Sequence, residues 1–336
     1  MILHPGIIAL LTGSAAIVVM LLYSAGLAIR IIRSWDMKSS SEGQLALERK
    51  TYLVSTIMNY VFGFELLSSL LFVYTIDGLH PVFVGAMCAT GSLNANPVGW
   101  YALYAKMAVF FLAGTWIVIN LVDQKAYDFP LVRLKYILLL GILPVVLVET
   151  GLLFAYFMGL KPNIITSCCG ALFSDSGGGL ASGLSSLPIG PTMVTFYGTL
   201  GVFFAAGVAS RVLDTAYLRY AFALVSLMVL IVSMASVVAF ISLYFYEIPT
   251  HHCPFDIFQG NYRYVGYPLY GTLFLGTFLG MMTGVAEPLR RVPSLNAVIP
   301  VSQKRWTLLA LLSLALFSGL ATWPVIFSAF TLEGYF

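Results

Sequence analysis

Residues 221–246 run for 26 positions without one charged side chain. A helix needs about 20 apolar residues to cross the hydrocarbon core of a bilayer, so this stretch commits the chain to a membrane. In lipid every backbone N–H and C=O must find its partner inside the protein, which leaves helices or a closed barrel. The run is continuously apolar rather than alternating, and that selects the helix. Seven more apolar runs, three of them broken by a single charged residue, lie at 7–29, 52–76, 100–122, 136–160, 193–210, 267–285 and 306–329. Only 9% of residues are charged and 60% are hydrophobic, outside the range of soluble domains. The expected fold is all-α, a polytopic transmembrane helix bundle of about eight spans, forming a single integral membrane domain over residues 1–336.

Basic residues set the expected orientation. Of the 17 Lys and Arg, 14 fall in four connections: 30–51, 123–135, 211–220 and 286–305. The other connections hold only Lys161 and Arg263, while Lys106 lies within a span. The positive-inside rule places the basic connections in the cytoplasm and both termini outside it, in a multi-pass protein of the plasma (inner) membrane. The first run has no basic flank before it and exceeds a signal-peptide core, so it is expected to remain as a transmembrane helix. The net charge of +3 follows from this asymmetry, and no nucleic-acid-binding pattern accompanies it.

The orientation has a chemical consequence. Every cysteine (Cys88, Cys168, Cys169, Cys253) and every histidine (His4, His80, His251, His252) falls outside or at the outer surface. The outer loops, 77–99, 161–191 and 247–266, are also the long ones, and long loops gathered on one face mark a working face. Thiolate and imidazole suit copper(I) and zinc, and Met87 adds a thioether beside Cys88. The expected metal ligands are Cys88, Cys168, Cys169 and Cys253, with His251, His252 and His80 available to complete the shell. A second reading uses the same sulfurs differently. In an oxidising compartment, Cys88 and Cys253 would each bridge to one of Cys168 and Cys169, stapling the three loops. A chain stapled in that way would be a non-catalytic subunit that docks a periplasmic or other membrane protein partner.

A third reading comes from the run Cys253-Pro254-Phe255-Asp256. It resembles the Cys-Pro-x-Cys element of membrane thiol–disulfide oxidoreductases, such as the vitamin K epoxide reductase and quinone-linked disulfide-forming families. The resemblance covers four residues, and Asp256 stands in place of the second cysteine. It implies that a redox partner for Cys253 comes from Cys88, Cys168 or Cys169.

Inside the predicted spans, Glu65, Lys106 and Glu149 interrupt the second, third and fourth. A charge facing lipid alone is costly, so the three are expected to face inward and toward one another, as an ion cluster or as a proton or ion path. Asn59 and Asn120 read as interhelical hydrogen-bonding residues. A weak internal echo joins Val98-Gly99-Trp100, ahead of the third span, Val265-Gly266-Tyr267, ahead of the seventh, and Ile189-Gly190-Pro191, ahead of the fifth, as three related hairpins. The chain has no Gly-rich phosphate loop and no Cys-x-x-Cys-His haem attachment run, which argues against a nucleotide motor or a c-type cytochrome.

Overall fold

The computed structural model describes residues 3–36, 39, 41–162, 164–166 and 180–332. Among these, the one extended pairing is an isolated parallel bridge between Val84 and Ile165. Eight helices among the described residues are long and apolar enough to cross a membrane. They are α1 (Pro5–Ser34), α2 (Glu42–Gly78), α3 (Gly99–Asp123), α4 (Val132–Gly159), α5 (Ile189–Leu213), α6 (Ala216–Ser236), α7 (Gly266–Val285) and α8 (Val298–Phe327). α6 continues through a π turn, Val237–Ile241, into a last α turn, Ser242–Tyr246. Each helix coincides with one of the expected apolar runs, so the chain reads as a multi-pass membrane protein.

Two helices begin well before their apolar stretches. α2 has 37 residues, roughly 55 Å at 1.5 Å per residue, against a hydrocarbon core of about 30 Å. Its first turns hold Leu, Ala, Glu, Arg and Lys, all good helix formers. Ser41 caps the start by accepting the Gln44 N–H at 3.3 Å. Hydropathy locates the buried part of such a helix, while propensity and capping decide where it begins. α8 likewise begins at Val298, eight residues before the expected span.

The chain divides into two compact units, each containing four long helices. In the first, α1 packs on α2 and α4, and α3 packs on the same two, which closes a ring. Lipid tails are as apolar as the side chains, so packing and interhelical hydrogen bonds hold such a ring together. Phe62 and Trp116 meet with ring centroids 5.1 Å apart. The Trp116 indole donates to the Lys135 carbonyl at 2.9 Å, and Asn120 donates to the Ser55 carbonyl at 3.3 Å.

In the second unit α6 packs against both α5 and α7. α7 carries Gly276, Gly280 and Gly284 at four-residue spacing, a small-residue stripe that lets backbones approach. A Cβ on Gly280 would stand 2.1 Å from the Ser226 hydroxyl of α6, so no larger residue fits without moving a helix. Buried phenylalanines fill the rest of the unit, with Phe203 and Phe222 in ring contact at 4.9 Å.

Candidate functional site

The second unit brings together two segments 165 residues apart in sequence. One is 83–91. Its backbone is fixed by the Thr166 N–H, which donates to the Val84 carbonyl at 2.9 Å. The turn at Gly85 has φ +85, and a Cβ there would lie 2.8 Å from the Thr166 carbonyl oxygen. Only glycine tolerates both conditions. The other segment follows the last turn of α6. The Tyr246 hydroxyl donates to the Cys253 carbonyl at 2.6 Å and accepts the Ile257 N–H at 3.1 Å. Tyr270 of α7 donates to the Pro254 carbonyl at 2.9 Å, and Gln259 donates to the Met87 carbonyl at 2.8 Å. Both segments are therefore held by side chains of the unit's own helices and by each other.

This scaffold places Cys88 Sγ 3.3 Å from Cys253 Sγ, with both residues fully buried. A disulfide would need about 2.05 Å. Two thiolates on one tetrahedral zinc, each at about 2.3 Å, would stand roughly 3.8 Å apart. The observed separation lies between the two, so a small movement reaches either state. Cys253 Sγ lies 3.4 Å from Asp256 Oδ1 and 3.6 Å from the Thr90 hydroxyl, and it accepts the Phe255 N–H at 3.4 Å. Cys88, Cys253 and Asp256 offer ligand atoms all within 4.8 Å of one another. Burial, then the charges of Asp256 and Cys253, push the nearby Tyr262 phenol above its ordinary range.

The histidines take separate positions. His251 Nε2 binds Asp256 Oδ2, behind the carboxylate oxygen that faces the sulfur. His252 is buried and directs Nδ1 to the Val238 carbonyl at 2.9 Å. That carbonyl belongs to the π turn of α6, where the widened hydrogen-bond spacing frees acceptors from the helix ladder. His252 thus ties the loop to α6. His80 belongs to the first unit, where its Nδ1 meets the Asp77 carbonyl at 2.5 Å. His4 caps α1 by accepting the Gly6 N–H. Cys168 and Cys169 lie outside the described residues. The Met87 residue is 66% exposed.

Asp256 was marked in the sequence only as a departure from a dithiol pattern. Its signal was spacing: three residues beyond Cys253, at the start of the tight turn Asp256–Phe258, where a short chain doubles back on itself.

The first unit holds the charges anticipated within the spans. Lys106 Nζ lies 2.8 Å from Glu65 Oε1, 2.7 Å from Glu149 Oε1 and 3.0 Å from the Ser68 hydroxyl. All three charged residues are at most 2% exposed. Lys106 lies seven residues inside α3 and Glu149 ten residues inside α4, depths of roughly 10 and 15 Å.

Compared with known protein families, with curated proteins and with solved structures, the chain matches none.

Proposed function

We propose that this multi-pass membrane protein binds a thiophilic metal ion at Cys88, Cys253 and Asp256, on the extracytoplasmic side set by its basic connections. The observation that carries this reading is the convergence of two buried sulfurs and a buried carboxylate oxygen within 4.8 Å. The donor set bears on the ion. A carboxylate oxygen beside two thiolates suits zinc better than copper(I), which prefers purely soft ligands. With Met87 mostly exposed, a thioether contribution has less support than the oxygen. Three protein ligands leave the fourth tetrahedral position for water, a Cys168 or Cys169 thiolate, or cargo passing through. His251 on Asp256 Oδ2 supplies the kind of outer-shell hydrogen bond that orients a ligating carboxylate.

The test is metal analysis of the purified full-length protein, reduced, loaded with zinc and then dialysed. About one equivalent of zinc per chain is expected. Cys88→Ser and Cys253→Ser should abolish retention, and Asp256→Asn should weaken it about tenfold or more. Repeating the measurement in a Cys168→Ser/Cys169→Ser double variant tells whether those thiols fill the fourth position. No zinc or copper on the reduced wild-type protein sinks the proposal.

The 3.3 Å sulfur separation favours one alternative, a dithiol–disulfide centre. Closing the Cys88–Cys253 bond would release two electrons and two protons to a quinone-type membrane carrier. Asp256 and His251 would take up the two thiol protons and pass them on to that carrier. Thiol trapping after incubation with oxidised and reduced quinone distinguishes this from metal binding, since only a redox centre changes its labelling.

A further inference from the structure

Charge balance singles out the ionic cluster of the first unit. Elsewhere among the described residues the ion pairs balance one for one. Lys135 Nζ pairs with Asp123 Oδ2 at 2.8 Å. In the second unit Arg219 and Arg290 face Glu287 and Asp214, two against two. Lys106 instead faces two carboxylates. No further Asp, Glu, His, Lys or Arg occurs in the surrounding helical stretches: 5–29 of α1, 51–76 of α2 apart from Glu65, 99–122 of α3 apart from Lys106, and 136–159 of α4 apart from Glu149. The buried phenols do not compensate, because Tyr136 and Tyr156 donate to the Thr51 and Ser92 carbonyls. Fully ionised, the cluster would carry one uncompensated negative charge deep in the bundle, where an unpaired charge is strongly disfavoured.

The oxygens differ in their partners. Glu149 Oε1 faces Lys106, and Oε2 accepts from the Thr150 hydroxyl at 3.3 Å. Glu65 Oε1 accepts from Lys106, but Glu65 Oε2 is buried and has no partner. Of the four carboxylate oxygens it is the one with neither the Lys106 ammonium in ion-pair contact nor a hydrogen bond.

We propose that Glu65, Lys106 and Glu149 form a proton-binding site, which at neutral pH holds one proton beyond that of the Lys106 ammonium, bound at Glu65 Oε2. Binding forms a carboxylic O–H and brings the cluster to neutrality. Release restores a carboxylate and changes the charge inside the bundle by one. Larger cations are disfavoured because the Lys106 ammonium occupies the centre of the oxygen set.

Infrared difference spectroscopy on the full-length protein in lipid nanodiscs reads this directly, through the C=O stretch of a buried carboxylic acid. Wild type should show one such band at neutral pH, assigned to this cluster. Glu65→Gln should remove it. Glu149→Gln should remove it too, because Lys106 then balances the one remaining carboxylate. Lys106→Gln should double the band area, since both carboxyls must then be neutral. Should Lys106→Gln fail to fold, wild type and the two glutamine variants suffice. Absence of the band from wild type, or its persistence in both glutamine variants, overturns the proposal.

Discussion

Among the described residues the first unit contains two buried lysines, and their surroundings differ in one respect that governs the rest. Lys135 has a single carboxylate, Asp123, and a neutral amide, Asn120, each at 2.8 Å. The remaining oxygen of Asp123 accepts the Leu131 N–H at 2.7 Å, so this pair is neutral and its carboxylate is satisfied. Lys135 also lines a cavity of about 660 Å³ with Trp35, Arg49, Tyr52 and Tyr127. Lys106 is enclosed by helices and has a second carboxylate in place of the amide. A balanced pair holds helices together at fixed charge. An unbalanced one can change its charge, and that capacity is what a site coupled to protons requires.

Substitutions that strip a lysine of all its carboxylates should have the largest effect. Asp123→Asn leaves Lys135 buried without a counter-charge and is expected to cost about 3–5 kcal/mol in reversible unfolding from mixed micelles. The double variant Glu65→Gln/Glu149→Gln does the same to Lys106 and should cost a similar amount. Either glutamate alone is different, because its partner still neutralises Lys106. Glu65→Gln or Glu149→Gln should therefore cost only about 1 kcal/mol. A single glutamine variant as damaging as Asp123→Asn would erase the distinction between the two lysines. The smallest effect belongs to Ser68→Ala, which removes one hydroxyl from Lys106 and should cost about 1 kcal/mol or less by the same measurement.

Much of the bundle was legible because membrane spans are written locally. Eight apolar runs in the sequence became eight helices, since in lipid a continuous apolar stretch has few other ways to satisfy its backbone. The helix ends were less legible. The start of α2 at Glu42 depends on Ser41 and on helix-forming but polar residues, which hydropathy passes over. Two of the three members of the echo, Val98-Gly99 and Val265-Gly266, also had local content, and Ile189-Gly190 did not. A Cβ on Gly99 would lie 2.2 Å from the Leu93 carbonyl oxygen, and one on Gly266 2.9 Å from the Phe258 ring. Both glycines start the third long helix of their unit because the preceding loop packs directly on the backbone.

The sites divide in the same way. That Glu65, Lys106 and Glu149 would meet followed from cost alone, because three charges in apolar spans have no cheaper arrangement than one another. The order of residues also offered Cys88 and Cys253 as candidate soft ligands in loops. It could not show that Asp256 is the third group beside them, nor that His251 stands behind that carboxylate while His252 serves the π turn of α6. Those roles depend on which way side chains a few residues apart are turned. They are settled by hydrogen bonds from Tyr246, Tyr270 and Gln259, residues that hydropathy treats as ordinary ends of helices and loops. Hydropathy acts residue by residue and is readable in order along the chain. A ligand set is a convergence of distant directions, and only the folded backbone fixes those.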